Sequence, residues 1–280
     1  MEAKKKTSLL YIACAAILLT LLGSFVMFLA LSTDFTPALG YFAKGSLTAF
    51  LLYIVLAAGI LLGAIVWFCL RRCRLTGTSL PMPLYTKAAS VLLIAALLWQ
   101  AGDTLRSLFS AGGRAPLWGL TLLCVLFSLF FILFLCCDMG PGRVRRGSLA
   151  AFCSFFPPLY TAVQLFLLYL DETVALNSPV KVIYQLMYIA FMLLFTAQTG
   201  LLLGKGAIFP RYVFCLIAAA VLAGSVSISA LLCAVAGVQG HTLSPAQILF
   251  SLAGSIYALC QLFSAASAAA QWTEEEKKEA

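Results

Sequence analysis

Apolar residues run along this chain in long stretches, and polar positions gather in short breaks between them. From Leu117 to Cys137 the only hydroxyl-bearing side chains are Thr121 and Ser128. A membrane-spanning helix needs about 20 mostly apolar residues. Eight segments meet that requirement: 8–31, 47–70, 86–110, 116–137, 148–170, 181–204, 211–236 and 245–270. A transmembrane barrel would instead show short segments of alternating polarity, and these runs do not alternate. The pattern predicts an all-α bundle of about eight membrane-spanning helices. The longest connection, Arg71 to Tyr85, is far shorter than the roughly 50 residues of the smallest domains. The whole chain, 1–280, therefore reads as one transmembrane domain with no soluble domain.

The charged positions add an orientation. Lys and Arg favour the cytoplasmic side in short loops. With the N-terminus inside, Lys4 to Lys6, Arg71, Arg72, Arg74, Lys87, Arg143, Arg145, Arg146, Lys205, Arg211, Lys277 and Lys278 all fall on that side. Lys44, Arg106, Arg114 and Lys181 remain outside or at outer helix ends. Both termini are expected in the cytoplasm, in a plasma membrane and, with no glycosylation sequon at Asn177, a bacterial one. The apolar run from Ser8 to Leu31 exceeds the about 7–15 residues of a signal-peptide core, so it is expected to stay as a helix.

Composition agrees. Apolar residues make up 63% and charged residues 10% of the chain, where soluble domains sit near 45–50% and about 25%. The net charge of +8 resembles a nucleic-acid signal, but its whole excess lies in the inner segments. It faces anionic lipid headgroups, and membrane lipids, not nucleic acid, are the expected partner.

Motifs for enzyme chemistry are missing. The sequence has no P-loop, no dinucleotide glycine fingerprint and no GxSxG elbow. The single histidine, His241, falls in a predicted outer loop, so no intramembrane metal or histidine base is expected. The ten cysteines form no outer framework. Cys69, Cys73, Cys136, Cys137 and Cys153 gather toward the inner face, where packing is the simplest role. No catalytic residues, no metal and no cofactor are expected.

Four features carry candidate function. The first is Gln100, Asp103 and Arg106, recurring every three residues on the third segment, with Trp99, Ser107 and Ser110 nearby. At about 1.5 Å per residue, Asp103 sits roughly 24 Å up a 30 Å core. It either pairs with a snorkelling Arg106 or forms the floor of an outward polar pocket. The second lies between the fifth and sixth segments: Asp171 and Glu172 above Tyr184, Gln185 and Tyr188, a place for a cation or an amine. Asn177 or Ser178 before Pro179 suits a helix N-cap with proline at the first position.

The third feature is Pro157–Pro158. Fourteen residues from Pro157 to Leu170 reach only about 21 Å, too short to span. The helix must therefore start earlier and be bent or broken there, leaving carbonyls near Cys153 and Ser154 without donors. Such breaks are ordinary kinks, or they line binding sites as in transporters. The fourth is a seam of small and hydroxyl residues. It comprises Gly224, Ser225, Ser227 and Ser229, then Ser251, Gly254 and Ser255, with Gly59–Gly63 and Gly200–Gly204 as GxxxG pairs. Close helix packing is its expected role.

The leading expectation is a non-enzymatic membrane protein that binds, senses or transports a small solute or lipid. Its outward-facing polar pocket would be built from Gln100, Asp103, Arg106, Asp171, Glu172, Tyr184 and Gln185. Arg106 would hold an anionic group, and Asp171 or Glu172 a cationic one. The rivals are a structural or regulatory subunit beside a membrane, ATPase or kinase partner, and an intramembrane enzyme.

Overall fold

The structure, a computed structural model, describes residues 2–36, 40–71, 82–110, 117–140, 147–171, 178–238 and 243–279, with backbone alone for 2–8, 110 and 268–279. It is a helical bundle. The helices are α1 (Glu2–Leu29), α2 (Leu47–Leu70), α3 (Leu84–Ser110), α4 (Trp118–Met139), α5 (Ser148–Cys153), α6 (Phe156–Leu170), α7 (Pro179–Leu202), α8 (Phe209–Ala236) and α9 (Pro245–Glu279). Helices α5 and α6 together form one span, so among the described residues eight helical segments are long and apolar enough to cross a membrane. Their outward faces carry large apolar side chains such as Leu18, Phe50, Leu61, Phe68, Phe109 and Phe166. A surface of that kind is stable in lipid and unstable in water.

Helix α8 is the axis. Of an 18-residue stretch of its span 83% is buried, against 33% for α4. Helices α1, α2, α7 and α9 pack directly on it. The others complete a circuit, since α3 packs on α9 and α4, α4 on α6, and α6 on α7. Small residues allow the closest approaches. A Cβ on Gly59 would lie 2.7 Å from Val221 Cγ1, and one on Gly63 would lie 2.9 Å from Phe214 Cδ2. This GxxxG pair is therefore a contact of α2 with α8. Gly200 meets Ile208, whereas Gly204 follows α7 with φ +80° and serves as its C-terminal stop. Only the first member of that second pair packs.

The hydroxyl seam closes α1, α8 and α9 together. Thr20 donates to Ala16 O at 2.8 Å and reaches Ala220 O at 3.5 Å. Ser24 lies 2.6 Å from Thr20 O and 3.3 Å from Gly224 O. Ser255 donates to Ala220 O at 2.9 Å. Each of these hydroxyls is buried, and each finds a backbone carbonyl.

The double proline produces a two-residue interruption at Ser154 and Phe155, both still near helical dihedrals. Pro158 cannot donate to the carbonyl of Ser154. Thr199 of α7 takes that place, its hydroxyl 2.7 Å from Ser154 O and 2.9 Å from Phe195 O. The break is thus held by a neighbouring helix.

At the other end of the bundle, α1 finishes in a single π-turn, Ala30–Asp34, and a short hairpin pairs Phe35–Thr36 with Tyr41–Phe42. Asp34 accepts hydrogen bonds from Ser46 (2.6 Å) and Thr48. Ser46 in turn caps α2 by accepting from Ala49 N.

Candidate functional site

Two helices line one cleft. On α3 Gln100, Asp103, Thr104 and Ser107, at i, i+3, i+4 and i+7, form a single stripe at 3.6 residues per turn. On α6 Gln164, Leu167 and Leu168 share that spacing, and Asp171 follows as the C-cap in extended conformation. The two stripes face each other across a cleft of about 280 Å³, which Thr121 of α4 and Leu243, Ser244 and Gln247 at the start of α9 complete. It lies at the end of the bundle where α3 and α6 finish and α4 and α9 begin.

The sequence-predicted site is brought together in part. Gln100, Asp103 and Asp171 line the cleft. Arg106 does not line it and is exposed on α3. The reason is angular: at about 100° per residue, each three-residue step falls 60° short of a turn. Arg106 has drifted off the face that Thr104 and Ser107 continue. Tyr184 is buried on α7 and Gln185 half-buried, and neither lines the cleft. Glu172, Asn177 and His241 lie outside the described residues.

Several lining residues were not singled out from the sequence. Gln164 is 4% exposed, and its Nε2 donates to Cys124 Sγ (2.9 Å) and Tyr160 Oη (3.3 Å). Its position one turn after Tyr160 in an apolar run was the available signal. Ser244 and Gln247 form a capping box. Gln247 N donates to Ser244 Oγ at 3.3 Å, and Ser244 N donates to Gln247 Oε1 at 2.9 Å. The S-x-x-Q spelling was legible.

Gln100 is 4% exposed at the inner edge of the cleft. Its amide interacts with the hydroxyl of Tyr188, which is fully buried and does not line the cleft. Beneath them aromatic rings fill the bundle. Tyr160 and Phe250 meet edge-on at 5.5 Å, Tyr188 stacks over Phe250 at 6.5 Å, and Phe131 joins Tyr160 to Phe195. Below the rings a second amide group forms, with Gln198 and Gln261 donating to Tyr257 Oη at 2.7 Å and 3.0 Å.

Lys181 has a structural post behind the cleft wall. It is 1% exposed, and its Nζ donates to Asp171 O at 2.6 Å and Tyr169 O at 3.3 Å. A cation on the last carbonyls closes the end of α6. The adjoining start of α7 differs from expectation in one respect. Pro179 is the first helical residue and Ser178 the N-cap, but the buried Ser178 hydroxyl makes no capping bond.

The arrangement offers carboxylates, amides and hydroxyls for recognition. The cleft hydroxyls of Thr104, Ser107, Thr121 and Ser244 have no histidine or lysine among the described lining residues to activate them. Ser154 donates to Ala151 O. Among the described residues no three His, Cys, Asp or Glu side chains gather to hold a metal. Cys137 and Cys153 are buried near one another, and Cys69 and Cys136 are exposed. Cys73 lies outside the described residues. No protein-family model matches the sequence, and no curated protein or solved structure is detectably similar to it.

Proposed function

We propose that this chain is a multi-pass membrane protein that binds a small solute in the α3–α4–α6–α9 cleft, to sense it or to move it. The observation that carries this reading is the cleft itself, about 280 Å³ lined by Gln100, Asp103, Thr104, Ser107, Gln164 and Asp171 at the end of an apolar bundle. Polar and ionisable side chains on membrane spans usually face the bundle interior or a wet cavity. The distribution of Lys and Arg supports a cleft opening away from the cytoplasm, in a plasma membrane of bacterial type. Reporter fusions after Gly113 and Gly240 are then active outside, and fusions after Gly142 and Lys205 inside. An inverted pattern would turn the cleft toward the cytoplasm.

Native mass spectrometry of the full chain from mild detergent tests the binding itself. The expected result is a small-molecule adduct on the wild type that Ser107→Trp, which fills the cleft, removes. A stoichiometric protein partner with no adduct supports the regulatory-subunit reading instead.

A further inference from the structure

We propose that the end of the bundle opposite the cleft holds an acidic phospholipid, its phosphate between Arg71 of α2 and Arg211 of α8 and an acyl chain along α2.

The contact of α2 with α8 sets the geometry. Gly59 meets Val221 and Gly63 meets Phe214, so the two helices run antiparallel. One turn further along, Trp67 stands level with Arg211. Arg71 is another turn on, but its guanidinium folds back over the Phe68 ring, 4.2 Å from the centroid. That brings its charge back toward the level of Arg211. Angle agrees with height. At about 100° per residue, Trp67 and Arg71 turn about 40° and 80° from Gly63, and Arg211 about 60° from Phe214. In an antiparallel pair these rotations carry all three to one side of the contact. Val55, which meets Gly23 of α1, turns about 80° the other way. The cations therefore share the side that α1 does not cover.

Little there opposes the positive charge. Helices α2, α7 and α8 contain no Asp or Glu, and neither does the connection 203–208, which adds Lys205. Arg71, Lys205 and Arg211 are all exposed. Acidic residues of other helices stand apart or are outnumbered. Asp138 belongs to α4, which packs on α3 and α6. The first acids of α9, Glu274 to Glu276, follow the end of its span at Ser267 by roughly 10 Å of helix. Glu2 of α1 is followed by Lys4, Lys5 and Lys6. Arginine forks take phosphate oxygens in pairs, and basic clusters between spans suit lipid headgroups.

The surface below the charges separates a lipid from a free anion. Tyr53, Ile60 and Trp67 recur every seven residues on the same side of α2, and all three are exposed. They give an acyl chain a track that a free phosphate does not use. Tryptophan at the headgroup level is the side chain membranes favour at their interface. A zwitterionic headgroup would bring its own cation into the cluster, and an acidic one does not.

Native mass spectrometry of the full-length protein in mild detergent, titrated with dioleoylphosphatidylglycerol, tests the site. The wild type is expected to take one molecule before any other, and to take dioleoylphosphatidylcholine more weakly. Arg71→Gln and Arg211→Gln, both at exposed positions, are each expected to weaken phosphatidylglycerol about fivefold, the scale of one basic residue at an anionic surface. Lys87→Gln, exposed on α3 at the same end of the bundle but away from α2 and α8, is expected to leave binding unchanged. Phosphatidylglycerol is expected to raise the melting temperature, and sn-glycerol 3-phosphate, a headgroup without chains, is not. Equal losses in Lys87→Gln and Arg211→Gln would mean diffuse surface charge and overturn the site. Equal binding of the two lipids overturns the charge recognition, and an equal thermal shift from glycerol phosphate overturns the lipid.

Discussion

The two sides of this bundle bury polar groups by opposite rules. Along the α1–α8–α9 seam the polar atoms are short hydroxyls, and Thr20, Ser24 and Ser255 each bond a helix carbonyl. In the α3–α4–α6–α7 half they are long amides that meet phenols, Gln164 at Tyr160, Gln198 at Tyr257 and Gln100 at Tyr188. A serine hydroxyl sits close enough to its own backbone to find an acceptor in any helix. A glutamine amide reaches past its own helix and depends on what lies opposite. Short hydroxyls therefore lock each helix to its neighbour's backbone, while long amides pair with phenols across the interior. The first device builds a scaffold, and the second depends on side chains from other helices.

The contrast can be broken by mutation, most forcefully in the seam. A side chain at Gly224 would press its Cβ on Thr20 Cγ2 and come 2.7 Å from Ser255 Oγ. Gly224→Val is expected to cost about 3 kcal/mol, the upper range for overpacking, read as a lowered melting temperature in detergent. If Gly224→Val unfolds no more readily than wild type, the seam is not the scaffold. A smaller and sharper comparison sets Thr199→Val against Gln100→Leu. Thr199→Val removes the only described side-chain donor to Ser154 O and is expected to cost about 1 kcal/mol. Gln100→Leu trades a weak contact with the Tyr188 hydroxyl for apolar packing, so stability should change by less than about 0.5 kcal/mol. Equal losses in the two variants, measured by the same unfolding assay, would erase the distinction between the halves.

The spans were legible because the bilayer imposes a length and a polarity that a sequence must spell out. The break at Pro157–Pro158 was legible from helix length alone. Neighbour relations were not. A face turned toward lipid and a face turned toward another helix are both apolar, so nothing in the runs announces that α8 is the axis. Gly59 and Gly63 announced a close contact without naming Val221 and Phe214 as its other side. At the cleft, acidic and amide residues pointed to the right end of α3, and a three-residue spacing pointed to the wrong face. Thr104 and Ser107 continue the Gln100–Asp103 stripe at helical period, and Arg106 leaves it. Gln164 escaped notice because a single amide in an apolar run gains meaning only when Cys124 and Tyr160 come beside it.

The central place of α8 also has a consequence in time. Thr20 of α1 reaches a carbonyl of α8 that lies 200 residues later in the chain. At about 5–20 residues per second, the ribosome needs roughly 10–40 s to make that stretch. For that interval α1 and α2 are inserted but keyless, their hydroxyls and glycines turned to lipid or to whatever holds nascent helices. Assembly of this protein is therefore a late event, set by the emergence of its seventh span, and a chain that stops short of Phe209 is inserted without being built.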